Sequence, residues 1–584
     1  MGKKLYVVTL YNHEDLEDFY AEMEESGYKR ELKRPLSRNT NYFLDLYQAT
    51  KIKEDPRVWD VALVEDCKFK EEGFVNRVPY NVDVDATSGT YYKGSGLTLT
   101  SQSWAIPHCA GPTTGKGVYG KDATGALTGN VTVFGDGRHV DIVVGDSPIA
   151  YDSEEWYSLD GSRNRFVQYQ WFNELNQYID DFDTTWDQGN LNLIFSDNQY
   201  GGSGTIEYYT LAEQIANSIN DHGYSMASIA AGKIYGWAKE SNIYSLVCIG
   251  SYKSGQYIRN DLLMDYLRAF HRYKPINPAT GKQNPTVFNA SFSTSTQTAK
   301  RFDANGNLTG YDLEFSDILA ILAGPDISNL TNYNAGNPGP SGWTEAGLVA
   351  DFGITFGLDT YPLYSVSLVA DLLDAIDDGI IVCTSAGNSN LKIDKPTGGD
   401  WNNHIAILDS TEDSGYRIFP YNRGSFPASP ETPVTIVGAI SANSDLGIWD
   451  DSNYGPGVGV YAPGELILCG VARTTSSIEN PALYSSSGHY FYVNTGTSSA
   501  TPQVSGAAAL LASGSYRFTQ DDLNAYLEKN SIYDLLTIPA SKAGSENKML
   551  YIENPRNESG YIDNSVGIRG DSGSVYPRKD TLFG

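Results

Sequence analysis

The sequence predicts an α/β protein built on one large, mostly parallel sheet and preceded by a small α+β unit. Three observations carry this. Continuous apolar runs recur between turn residues, at Val140 to Val144, Leu191 to Phe195, Ile243 to Ile249, Thr286 to Phe292, Ile380 to Thr384 and Val434 to Ile440. Unbroken runs suit strands covered on both faces, whereas a half-exposed strand alternates. Amphipathic helices lie between the runs: Asp261 to His271 sets Leu262, Leu263, Tyr266, Leu267 and Phe270 on one face, and Ser365 to Asp378 does the same with Leu368, Val369, Leu372, Leu373 and Ile376. Helices alternating with buried strands give a layered α/β architecture, with the functional site expected at strand carboxyl ends. The acids Asp371, Asp374, Asp377 and Asp378 fall mostly off the second apolar stripe and read as a solvated face.

The third observation is the amino-terminal order. Residues 1 to about 70 read as strand Lys4 to Leu10, helix Asp15 to Glu25, strands near Tyr28 to Leu36 and Asn41 to Tyr47, helix Ala49 to Glu54 and strand Trp59 to Val64. This is a ferredoxin-like βαββαβ order, an arrangement that by itself fits many functions.

At 584 residues, with 40% apolar residues, the chain can bury one large core and carry smaller pieces. Its formal charge of -29 argues against a nucleic-acid partner, which would favour a basic surface. No apolar run reaches the length of a membrane span. The apolar stretch after Lys3 and Lys4 is too short for a secretion signal and runs into an acidic helix, so an intracellular or virion-associated location is expected. The five cysteines, Cys67, Cys109, Cys248, Cys383 and Cys469, are odd in number and spread along the chain. They read as small buried hydrophobes rather than a disulfide framework.

Between the elements, the Gly-, Tyr- and Ser/Thr-rich residues 71–100 read as a linker, and the main domain is placed at 101–530. Polar stretches near 151–189 and 297–364 contain aromatic residues and partial helices, and are read as folded surface insertions. Residues 531–584 are a carboxyl-terminal extension ending in a polar tail from Asn554.

The stretch Gly496-Thr497-Ser498-Ser499-Ala500-Thr501-Pro502-Gln503-Val504-Ser505-Gly506 leads into a run of small apolar residues with high helix propensity. Ser498 therefore sits where a loop becomes a buried helix. The N–H groups of a helix start can stabilise an anion formed beside a serine, and glycines let the backbone approach a substrate. The pattern GTSxATPxVxG resembles the nucleophile signature of the subtilisin-like serine proteases, the subtilase family. The resemblance implies a subtilisin-like three-layer fold, with Ser498 as nucleophile.

A serine hydroxyl needs a general base within reach and a third group to orient that base. Of seven histidines, His222 stands in Asn220-Asp221-His222-Gly223-Tyr224-Ser225-Met226-Ala227-Ser228, ahead of a small-residue helix. This stretch, with Lys233 to Lys239, is similar to the family's histidine motif near the proteinase K branch, although HGTHVAG here reads HGYSMAS. For the orienting acid, Asp146 follows the apolar run Val140 to Val144, while its rival Asp141 falls inside that strand or one residue into it. The family puts the acid just after the run, which selects Asp146. Ile380 to Asn388 resembles the family's strand leading to AGN, which implies Asn388 as an oxyanion donor together with the Ser498 backbone N–H. Asn289-Ala290-Ser291-Phe292-Ser293 resembles the edge of the substrate cleft, with Ser293 and Thr294 where glycines are usual, and Ser452 to Gly455 and Ala462 to Gly464 resemble SNxG and APG segments. Ser291, Phe292, Ser293 and Gly387 are the expected substrate-binding positions.

Residues 1–70 resemble the family's inhibitory prodomain, Lys51 to Val58 and Val64-Glu65-Asp66 matching its end, which implies an intramolecular inhibitor whose tail lies in the cleft. The chemistry requires no cofactor. Acidic clusters at Asp152 to Glu155 and Asp180 to Asp187 offer oxygen ligands for structural calcium but no spacing that defines a cage, so no metal site is assigned. The expected function is a serine endopeptidase acting on protein or peptide substrates through an acyl-enzyme. The competing reading is a catalytically weak or inactive subtilase-fold structural or binding protein on a virus particle. The chain gives no oligomeric state.

Overall fold

The computed structural model describes residues 3–64, 69–71, 104–110, 113–114, 117–118, 135–179, 204–297, 300–302, 308–311, 360–362, 364–409, 415–442, 446–472, 490–513 and 517–552. The amino-terminal unit runs β1 (Lys4–Leu10), α1 (Leu16–Glu25), β2 (Lys29–Leu32), β3 (Asn39–Leu44), α2 (Leu46–Lys53) and β4 (Val58–Leu63). Its four strands pair antiparallel in the order β2-β3-β1-β4. Leu16, Phe19, Tyr20 and Met23, spaced on one helical face, close a core of the unit's own with Val8, Leu10, Tyr42, Leu44 and Ile52. Helix α2 starts earlier than its apolar pattern predicts because Asp45 and Gln48 form a reciprocal capping box. The strand expected through Leu36 stops at Leu32, and the segment after it turns away to dock.

The main sheet has nine strands. In spatial order they are Ile532–Tyr533, Lys548–Met549, Val460–Pro463, Thr435–Ile440, Ile381–Ser385, Thr286–Ala290, Asp141–Asp146, Asn242–Val247 and Phe166–Val167. All neighbours pair parallel except the first two. Five of the six apolar runs are these central strands; the sixth, Leu191 to Phe195, lies outside the described residues. Helices His222–Ala231 and Thr497–Ala512 pack together against one set of strands, while Trp171–Ile179, Leu263–Tyr273 and Val366–Asp377 form a second group, which completes the three-layer α/β arrangement.

Two segments read as peripheral are built into this core. From the stretch near 151–189, Trp156, Trp171 and Phe172 are buried and Phe166–Val167 forms the sheet's edge strand. Residues 532–549 add the two strands at the other edge. Of the cysteines, Cys109, Cys248, Cys383 and Cys469 are buried and unbridged.

Two acids of helix Val366–Asp377, Asp371 and Asp374, overturn the expected solvated face, while Asp377 is exposed as expected. Asp371 is buried and accepts from Arg34 at 2.7 Å and from the Ser37 hydroxyl. Arg34 is itself buried and donates to Asp265 at 2.5 Å and to the Asp261 carbonyl at 2.9 Å. Around this centre Arg259 joins Glu31 at 2.9 Å and Asp261 at 2.6 Å, and Arg38 reaches Asp374 at 3.1 Å. Asn39 and Asn41 on the β3 face add bonds to the Ser367 carbonyl and the Asp261 carboxylate. Asp378 pairs with Arg268 at 2.8 Å and Arg272 at 3.0 Å within the main domain, whereas Asp371 and Asp374 form part of the docking surface of the amino-terminal unit. Ion pairs this dry gain little net stability but tolerate only one docking geometry, because any slip strands a buried charge.

Candidate active site

Asp146 is the last residue of its strand and His222 the first of its helix, and both are fully buried. His222 Nδ1 lies 2.8 and 2.9 Å from the two Asp146 carboxylate oxygens. A carboxylate only accepts, so Nδ1 carries the proton and Nε2 is left as the basic nitrogen. The acid is aimed by its neighbours: the Ser147 N–H donates to Asp146 Oδ1 at 2.7 Å, and the Ser147 hydroxyl accepts from the Gly223 N–H at 2.8 Å. A Cβ on Gly223 would meet the Ser147 carbonyl at 2.2 Å, so only glycine lets the helix start this close to the strand. The rival Asp141 sits at the opposite, amino end of the strand, paired with buried Lys274 at 2.8 Å.

Ser498 lies in the first turn of the fully buried 16-residue helix Thr497–Ala512, which packs along the histidine helix. Its hydroxyl is buried and has no hydrogen-bond partner among the described residues. The helix is held by a device the motif hides. Pro502 has no N–H, so the Ser498 carbonyl four residues earlier loses its helical partner. The Ser291 hydroxyl donates to that carbonyl at 3.0 Å and accepts from Asn289 Nδ2 at 3.0 Å, while Asn289 Oδ1 accepts from Ser505 at 2.9 Å. Ser291 thus locks the serine helix to the sheet.

Asn388 follows the strand Ile381–Ser385. Its Oδ1 accepts from the Thr497 N–H at 2.8 Å and the Thr497 hydroxyl at 2.7 Å, which fixes the amide orientation. Nδ2 then points to the Ser498 side. A Cβ on Gly496 would come 3.0 Å from Asn388 Nδ2 and 3.2 Å from Ser498 Oγ, at a φ of 148°, so glycine keeps the gap between them open. Gly387, at φ 104°, donates to Thr497 Oγ1 at 3.1 Å. Asn453, from the SNxG-like segment, templates the loop: its side chain takes the N–H groups of Ser389 and Leu391 and donates to the Ala386 carbonyl.

Phe292 is buried with its ring 6.5 Å from that of Phe426, and Ser293 is also buried. Phe292–Gln297 pairs antiparallel with Phe69–Glu71, in the register Phe292 with Glu71, Ser293 with Lys70 and Thr294 with Phe69.

The departures from HGTHVAG have a physical reason that the local sequence does not show. Tyr224 is 2.5 Å from Ser153, the Ser225 hydroxyl donates to the Gly470 carbonyl at 3.1 Å, and the Ser228 hydroxyl accepts from the Gly470 N–H at 2.8 Å while donating to Glu155 at 3.0 Å. The three residues wire the histidine helix to segments far away in sequence. Glu155 is buried, and burial pushes its pKa from 4.5 up to about 7 despite the Ser228 bond. The folded chain therefore holds this proton more tightly than the unfolded chain, and stability falls as pH rises through that window, by roughly 3 kcal/mol if this group acted alone. Glu155→Gln is expected to flatten the dependence of the urea midpoint between about pH 5 and about pH 8.

Among the described residues no cluster of His, Cys, Asp and Glu could hold a metal ion, and no helix is long and apolar enough to cross a membrane.

No curated protein matches the chain. Among solved structures it is similar to a cold-adapted subtilisin-like serine proteinase, at 18% identity and TM-score 0.37 over 73% of this chain and 93% of that one. It is also similar to fervidolysin from Fervidobacterium pennivorans, a keratinolytic enzyme related to subtilisin, at 13% identity and TM-score 0.46 over 94% of this chain and 60% of that one. A third is the epidermin leader peptide processing serine protease of Staphylococcus aureus, at 12% identity and TM-score 0.46 over 94% of this chain and 97% of that one. The profile of the subtilase family matches residues 9–567, nearly end to end, and the chain therefore belongs to that family, the subtilisin-like serine proteases.

Proposed function

We propose that the protein is a serine endopeptidase in which His222 removes the Ser498 proton, Asp146 orients and supports the resulting imidazolium, and Ser498 forms an acyl-enzyme with the substrate. The observation that carries this reading is the buried Asp146–His222 Nδ1 pair, which leaves Nε2 basic. Attack of Ser498 Oγ on a peptide carbonyl places negative charge on the carbonyl oxygen. Asn388 Nδ2 and the Ser498 N–H are the donors for it. His222 then gives its proton to the leaving amine, and water, activated by the same imidazole, releases the acid. A fluorophosphonate probe tests the reading: it is expected to label the chain on Ser498 and to leave Ser498→Ala unlabelled. An unlabelled parent chain, folded and with its amino-terminal unit removed, would favour the binding-protein alternative.

The amino-terminal unit is read as the intramolecular inhibitor. A substrate peptide would bind this cleft by adding a strand to the Phe292–Thr294 edge, and Phe69–Glu71 occupies that edge. Tethering gives the segment a high effective concentration, which supplies avidity on the order of 10²–10⁴ until the link is cut. Limited proteolysis between Cys67 and Ser101, followed by dilution, is expected to raise peptidase activity over the uncut chain. Equal activities with the unit dissociated would rule out inhibition and leave it a docking role.

A further inference from the structure

Behind the loop that carries Asn388, the carboxyl-terminal segment inserts a cation. Lys542 is 2% exposed, and its Nζ donates to Asn390 Oδ1 at 2.7 Å, to the Asp450 carbonyl at 2.6 Å and to the Ser452 carbonyl at 2.8 Å. Three donors meet three oxygens, and the Tyr454 ring lies against the same ammonium, 5.2 Å from Nζ to its centroid. Burial lowers the Lys542 pKa to about 8 while Asp450 and Asp451 hold it up, so the group is an ammonium ion at neutral pH. The segment around it is fixed to the same two loops. Ser545 accepts from the Gly455 N–H at 3.0 Å and donates to the Lys542 carbonyl at 2.8 Å, and Lys395 pairs with Glu546 at 2.7 Å.

The three oxygens belong to two loops that meet beside the site. Asn390 is two residues from Asn388, in the left-handed region at φ 51°, and its N–H donates to the Asp451 carbonyl at 2.8 Å. Asp450 and Ser452 flank Asn453, the residue that templates Ala386 to Leu391. We propose that Lys542 is a positioning residue for catalysis, a built-in cation that ties the Asn388 loop to the Asp450–Ser452 loop and thereby holds the oxyanion-binding amide in place. Without it two main-chain carbonyls and an amide oxygen would converge with no donor between them. They would turn towards water, and Asn453 would move with them. The carboxyl-terminal extension then completes the active site, in the way a bound metal ion could, with a side chain instead. The proposal rests on Asn388 acting as an oxyanion donor.

Kinetics of the full chain, activated by the linker cut, test it on a peptide amide substrate. Lys542→Ala is expected to lower kcat by between about 10- and 100-fold, as small misplacements of a catalytic group do, with KM little changed. Propylammonium chloride, which fits the vacated channel, is expected to restore part of that loss where equal sodium chloride does not. In an Asn388→Ala background the same substitution is expected to add nothing to the loss in kcat, because its effect passes through that amide. Asn390→Gly removes one acceptor, keeps the left-handed backbone and leaves Lys542 its other two bonds. It is expected to show the same selective fall in kcat, and serves if Lys542→Ala does not fold. An unchanged kcat in Asn390→Gly, or a full additional loss in the Asn388→Ala background, would overturn the proposal. Inactivity of the parent chain would instead remove the peptidase reading on which it rests.

Discussion

His222→Ala is expected to abolish turnover while leaving the fold and substrate affinity largely intact. In subtilisin, of the same family, loss of the histidine or the serine alone costs about 2 × 10⁶ in kcat, and the same order is expected here by analogy. On the proposed mechanism Ser498 has no base but His222: the serine hydroxyl has no hydrogen-bond partner among the described residues, and Asp146 is held on Nδ1 of the imidazole. If the residues act as one unit, as proposed, Ser498→Ala/His222→Ala should be no slower than either single variant. Asp146→Asn should be milder, on the order of 10⁴, because it keeps the ring in place but presents the wrong partner to Nδ1. Steady-state kinetics beside thermal unfolding of each variant check this. Two single losses that multiply in the double variant would show that His222 and Ser498 work independently.

Asn388→Ala is expected to lower kcat on the order of 10²–10³, the cost of removing one oxyanion donor in subtilisin itself, with KM nearly unchanged. On the proposed mechanism the amide acts on charge that exists only in the transition state, so the ground-state complex hardly senses it. Thr497 is the internal control. Its N–H and hydroxyl both donate to Asn388 Oδ1, which orients the amide, so Thr497→Val should produce a smaller fall in kcat by loosening the same donor. A rise in KM with kcat preserved in Asn388→Ala would assign the residue to substrate binding.

The buried strands, the two amphipathic helices and the amino-terminal βαββαβ order were legible because each is written in a short window by hydrophobic period. Boundaries were less so. The start of helix α2 depends on the Asp45–Gln48 capping box, and β2 ends early because Arg34, two residues after Leu32, is drawn into the other unit. Ser498, His222, Asp146 and Asn388 were singled out by local motifs, and Asp146 was chosen over Asp141 by the family resemblance, which puts the acid just after the apolar run. Ser291 was expected to meet substrate, but its hydroxyl is spent on the carbonyl that Pro502 leaves without a donor, a link spanning 207 residues.

By itself the sequence determined the elements, their layering and the residue types of the site, since propensity, period and turn chemistry act between near neighbours. Tertiary structure alone decided which polar groups are buried. Asp371 and Asp374 look like any solvated helix face until Arg34 and Arg38 arrive from more than 330 positions away. Ser225 and Ser228 look like losses from a motif until Gly470 is seen to bond both. Lys542 is an unremarked lysine of the carboxyl-terminal extension until three oxygens from two distant loops surround it. The physical reason is common to all three: burying a charge or polar group is costly unless a partner is already there, and the partner is supplied by the fold, at a separation no local pattern encodes.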